Sequence, residues 1–248
     1  MNHQPSDQAP DRTSDGARFR RDIAAASLVV TALLGLLSVA LQPDFPSDHA
    51  ARLAALDAAG AGGAVSAVAF LVSQLPFAVA VLGLGHLLRR RAPRLSTTGV
   101  VLGVLGAFGH TVFGGLSMVY VLMAGDASRR AAYAALYAHV DNSPVMIFSA
   151  MGLLGTVLGL LLLAVAMFRS GVVARWVPAL LVAFLVLEFA GSGVSAYASD
   201  VAGACYVIAF CALAVRLRRM PVGSWSSAGE AVAPQAAGSP SVSARIAS

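Results

Sequence analysis

Apolar residues run almost unbroken through 23–42, 62–88, 97–124, 144–168, 176–198 and 201–217, and polar residues collect in the stretches between them. A hydrocarbon core about 30 Å thick is crossed by roughly 20 helical residues. The pattern therefore predicts an all-α, polytopic membrane protein with six transmembrane helices, the last of them the shortest. The connections alternate long, short, long, short and end in a tight turn, so the spans pair as three consecutive hairpins in one bundle. Both long connections carry helical patterns of their own, 48–59 behind Ser47 and 129–140 opened by Asp126 or Ser128. Pro144 and Pro178 sit where a first helical turn accepts proline. Pro76 lies inside the second span and deprives the Val72 carbonyl of its backbone donor, which predicts a kink beside Gln74.

Composition agrees with the pattern. A chain of 248 residues that is 58% hydrophobic and 12% charged has too little polar surface for a soluble globule. Residues 1–18 and 220–248 are rich in small and polar types without an apolar period, and read as disordered tails around a membrane domain at 19–219. The absence of lysine and the abundance of alanine, glycine and valine look like GC-rich bacterial coding. The net charge of +5 comes from arginines scattered over short loops, not from one basic face, so it points to no nucleic-acid partner. Fourteen arginines fall before the first span, in the even-numbered connections and after the sixth span. Only Arg52, Arg129 and Arg130 fall on the other side. The bias predicts a multi-pass protein of the bacterial inner membrane, both termini cytoplasmic, with the lipid bilayer as its first partner. Ser38-Val39-Ala40 has the small-x-small form of a signal-peptide cleavage site, but the long polar leader and nearly full-length apolar run favour a retained first span.

Against this background Glu188 stands out as the one carboxylate inside any apolar segment. An ionisable group at that depth is costly unless it is paired, solvated or neutralised. At 1.5 Å per residue from the cytoplasmic ends, Glu188 and Thr156 lie about 18 Å deep and His110 and Gln74 about 20 Å deep. Four polar side chains from four helices thus share one level. Gly99, Gly103, Gly106, His110 and Gly114 follow three- and four-residue steps, as do Ser149, Gly152, Thr156 and Gly159, which puts His110 and Thr156 on close-packing faces. Glu188, Ser192, Ser195 and Ser199 trace a polar stripe that would give access to the site. A Glu188–His110 pair would bind a proton or a small polar solute, as in a small transport or sensing protein. The same residues equally suit a structural or partner-binding protein in which the polar layer only fixes helix packing.

Other chemistry is thin. His86 and His110 differ in depth by about 20 Å, too far apart for one haem, and no cofactor is implied. Asp48, His49, His139 and Asp141 lie in the long connections without a known metal-ligand spacing, so no metal site is assigned. Cys205 and Cys211 are six apart on one helix and point different ways, too separate to bridge. The segment 191-GSGVS-195 has no histidine on the sixth span to act as base, and no catalytic residue is named.

The stretch 160-LLLLAVAMFRSGVVARWVPALLVAF-184 joins an apolar helix, an Arg-Ser turn, a short aliphatic link and Arg175-Trp176 at the start of the next helix. Over residues 160–184 it resembles the bacterial six-helix membrane proteins of domain-of-unknown-function family 4386, with Ala174 where a proline is expected. The resemblance implies a six-span bundle and carries over no activity, cofactor or site residue.

Overall fold

The computed structural model describes residues 12–191 and 198–229, and all regular elements among them are helical. In chain order they are α1 (Arg12–Leu41), α2 (His49–Ala59), α3 (Ala61–Leu88), α4 (Pro93–Ala124), a 3-10 turn (Ala127–Arg129), and α5 (Arg130–Asp141). There follow α6 (Met146–Ser170), α7 (Trp176–Val186), a π-helical turn (Leu187–Gly191), α8 (Ala198–Arg219) and α9 (Val222–Gly229). Five helices, α1, α3, α4, α6 and α8, are long and apolar enough to cross a membrane. The fifth apolar segment, expected as a full span at 176–198, forms a shorter apolar helix, Trp176–Phe189. Its α-helical form stops at Val186 and gives way to the π turn.

These helices close into a ring. α1 packs on α3, α3 on α4, α4 on α6, α6 on α7, α7 on α8, and α8 returns to α1. The main core runs through Leu28, Leu84, Leu163, Leu181 and Phe210, all essentially inaccessible. The α4–α6 contact is the closest seam of the ring, and its cause is the glycines. A Cβ on Gly155 would lie 2.7 Å from the Gly106 nitrogen and the Leu102 carbonyl oxygen, and one on Gly106 would lie 2.5 Å from the Thr156 nitrogen. Backbone therefore meets backbone across this seam. Of the stripe predicted on α4, Gly99 and Gly106 face α6, whereas Gly103 meets Val81 and Gly114 meets Leu71, both on α3. Gly109 and Gly155 complete the seam and lie off the predicted stripes. Pro76 sits within α3, which continues as helix to Leu88.

The long connections fold over one end of the ring. Asp48, not Ser47, caps α2, accepting from the Ala51 nitrogen at 2.7 Å, and Gly60 leaves the helix at φ 53°. Asp48 wins because its carboxylate reaches the third residue beyond it, the usual capping reach. Asp126 caps the 3-10 turn before α5, and the Ser128 hydroxyl, with lesser help from backbone and Arg129, holds its carboxyl below the ordinary range. Leu53, Leu56, Tyr120 and Tyr137 join α2, α5 and the end of α4 in a second small core. Arg130 clamps Asp57 at 2.6 Å across it.

Two stretches expected in the tails are helical. Residues 12–18 belong to α1, with Ala17 buried in the main core. Residues 222–229 form α9, held against α1 and α3 by Trp225, which is 2% exposed. One large ring in a Ser- and Gly-rich stretch supplies the apolar area that its average composition hides.

Candidate functional site

Inside the ring, where α7 turns into the π segment, lies a cavity of about 260 Å³. All six helices of the ring contribute to its wall. Gln74 reaches it from α3, His110 from α4, Thr156 from α6 and Glu188 from the π turn. The one cavity therefore brings together all four side chains that share a depth in the sequence.

The way they meet differs from the expected pairing. His110 Nδ1 stands 3.4 Å from Thr156 Oγ1, and the imidazole presents its edge to Phe70 at 5.4 Å between ring centres. No hydrogen bond or ion pair joins Glu188 to His110 among the described residues. The glycine seam explains this. With α4 and α6 in backbone contact, the His110 ring lies against Gly152 on α6, beside Thr156, and that hydroxyl is the polar group it meets. The Gln74 amide nitrogen donates to the Phe70 carbonyl and to Ser73 Oγ, both at 3.0 Å, leaving its side-chain oxygen free of those bonds. Glu188 has no hydrogen-bond or ion-pair partner among the described residues. It is half-buried and lies on a turn whose backbone has left α-helical geometry. Single π turns of this kind recur at functional positions in helices.

The proposed access stripe is described only at its last member. Ser199 belongs to the first turn of α8, and Ser192 and Ser195 lie outside the described residues. A second cavity of about 220 Å³ instead adjoins the first on the side of α2 and α5, and the two share Ser38, Gln42 and Phe70 as walls. Here Ser38 and Ser66 each donate a hydroxyl to the other's carbonyl, at 3.0 and 2.7 Å, tying α1 to α3.

Several cavity residues were not singled out from the sequence. Thr31, Gly35 and Ser38 on α1 and Gln42 just beyond its end all line it, at steps of four, three and four residues, the spacing of one helix face. Thr31 donates to the Ser73 carbonyl at 3.1 Å, one turn before Phe77. On α8, Tyr206 lines the cavity with its ring between Phe184 and Phe210, at 4.8 and 4.2 Å. His86 lies elsewhere. Its Nε2 donates to the Trp225 carbonyl at 2.8 Å and its ring stacks on the indole at 4.3 Å, so it holds α9 instead of entering the cavity.

The family model "Domain of unknown function (DUF4386)" matches residues 23–225, which takes in every helix of the ring. The chain belongs to the DUF4386 family. The match extends far beyond the 160–184 stretch and covers Gln74, His110, Thr156 and Glu188. Among curated proteins and among solved structures, none matches the chain. Membership in DUF4386 brings no activity with it, and the chemistry of this member rests on its own residues.

Proposed function

We propose that this DUF4386 protein is a small transport or sensing protein of the bacterial inner membrane that binds a proton or a small polar solute at Glu188. In this reading α7 and its π turn belong to a sixth crossing, and both termini are cytoplasmic, as the arginine distribution favours. The observation that carries the proposal is the unpartnered carboxylate: Glu188 lines an intramembrane cavity and has no ion-pair or hydrogen-bond partner among the described residues. Carboxylates kept only for architecture are normally satisfied by hydrogen bonds, because an unsatisfied one is a net cost. A ligand would supply what the described residues do not.

The walls favour one class of solute. Among the described residues, Glu188 is the single acidic group of the wall and no arginine lines the cavity, while Phe70, Phe77, Phe184 and Tyr206 offer aromatic faces. A carboxylate among aromatic rings is a setting for a protonated amine, through charge and cation–π attraction together. Gln74 and Thr156 would then orient the amine's remaining hydrogens.

The structural alternative has one observation in its favour, since the Thr156–His110 contact and the Thr31 bond to Ser73 each link two helices. Glu188→Gln separates the readings. The full-length protein in phosphatidylcholine nanodiscs is titrated with benzylamine, and its melting temperature is followed in parallel. We expect the variant to stay folded, being isosteric, and to bind benzylamine at least tenfold more weakly, the loss of about 1.4 kcal/mol or more. Equal binding by variant and wild type, or no saturable binding by the wild type, would leave only the packing role.

A further inference from the structure

We propose that the second cavity, between α2, α5 and the adjoining ends of α1, α3 and α4, is a distinct binding site for a small organic anion, with Arg52 as its charge partner and Tyr120 as a hydrogen-bond donor. Among the described residues, Arg52 is the one charged residue lining this cavity. Its guanidinium is already positioned: Nε donates to the Pro46 carbonyl at 3.1 Å and Nη1 to the Tyr137 hydroxyl at 3.2 Å. The same group lies over the Phe45 and Tyr137 rings, at 5.7 and 5.5 Å from their centres. A guanidinium fixed by neutral oxygens and aromatic faces keeps its full positive charge for a ligand, and the planar fork suits carboxylate or phosphate.

Three carboxylates of the long connections, Asp57, Asp141 and Asp48, are engaged elsewhere. Asp57 is bound by Arg130 at 2.6 Å, Asp141 lies 3.8 Å from His49, and Asp48 caps the Ala51 nitrogen. None of the three lines the cavity.

Tyr120 is the independent observation. Its side chain lines the same cavity, the residue is only 3% exposed, and its hydroxyl is buried without a hydrogen-bond partner among the described residues. A buried hydroxyl left unpaired is unfavourable, and a bound oxyanion is an acceptor that would satisfy it. Phe70, Phe113 and Leu56 form the apolar part of the wall, so the ligand is an anionic head on a small apolar body. Carboxylates and phosphate esters share that chemistry, and a lipid headgroup could present it as well as a soluble molecule; we assign the site to the soluble anion.

The test titrates benzoate into the full-length protein in phosphatidylcholine nanodiscs, with benzyl alcohol as the neutral control. Benzoate should bind saturably and benzyl alcohol should not. Arg52→Gln should weaken benzoate at least tenfold, and Tyr120→Phe about tenfold, the loss of one hydrogen bond to a charged group. Glu188→Gln should leave benzoate binding unchanged, which keeps this site separate from the amine site. Equal binding of benzoate by the wild type and Tyr120→Phe, or benzoate binding no better than benzyl alcohol, overturns the assignment. Because Arg52 also holds Pro46 and Tyr137, its variant may be read only if it melts as the wild type does; Tyr120→Phe removes an oxygen with no partner and decides the matter alone. Adding phosphatidylglycerol to the nanodiscs should not displace benzoate, and competitive displacement would transfer the site to a lipid headgroup and refute the soluble ligand.

Discussion

Gly155→Leu should abolish the folded bundle, whereas Gly115→Leu should leave it intact. A Cβ at Gly155 would meet the Gly106 nitrogen and the Leu102 carbonyl at 2.7 Å, and neither is the end of a side chain that can swing aside. Alanine alone forces α4 and α6 apart, a cost of about 1–3 kcal/mol for overpacking a close contact. Leucine adds three more carbons into the same gap. Total stabilities are only about 5–15 kcal/mol, so the larger substitution consumes much of the margin. A Cβ at Gly115 would have nothing within 4 Å, although it lies on α4, the helix that Gly155 packs against. The measurement is the melting temperature and the size-exclusion profile in detergent for both variants. Equal melting of the two would show that the seam is not what holds α4 against α6. Because the seam sets Thr156 beside His110, Gly155→Ala should also weaken benzylamine binding at the Glu188 cavity.

Trp225→Ala is the second large effect, and it acts from the opposite end of the molecule. The indole is 2% exposed, stacks on His86 and anchors α9 beneath α1 and α3. Truncating a buried tryptophan typically costs about 3–5 kcal/mol. Part of that is returned, because Nε1 is buried without a partner and its removal relieves about 1–3 kcal/mol. A net loss of about 2 kcal/mol follows, read as a lowered melting temperature and faster proteolysis after the Arg216–Arg219 cluster. Trp225→Phe should keep most of the stability, since it retains a ring and discards the unpaired N–H. A phenylalanine variant as unstable as the alanine one would show that the indole nitrogen has a partner after all.

The ring of apolar helices was legible because bilayer crossing imposes a length and an apolar composition on each segment, and five described helices meet both. Depth was legible for the same reason: a helix rises a fixed distance per residue, so Glu188, His110, Gln74 and Thr156 could be placed at one level, and all four line the cavity. Rotation and local form were harder to read. His110 meets Thr156, because glycines seal α4 onto α6, and a depth count carries no information about which neighbour a ring faces. The face through Thr31, Gly35 and Ser38 on α1 and Gln42 just beyond its end was periodic in the sequence, but its polar members are weak hydrogen-bonding types that also occur in ordinary helix packing. The stop of α7 at Val186 had no such signal. Leu187, Glu188 and Phe189 are ordinary helix formers, and only the two glycines beyond hint that the backbone changes there.

The π turn also means that the chain carries one residue of slack at the level of Glu188. A π turn is an α-helix with an extra residue inserted, and such an insertion can be absorbed or shifted along the helix without breaking it. Each residue of an α-helix turns the chain by about 100°, so drawing that slack out would swing everything beyond Leu187 by roughly that angle while α7 stayed seated on α6. Were that slack drawn out, the Glu188 carboxylate would be turned relative to the cavity by a backbone change confined to a single turn.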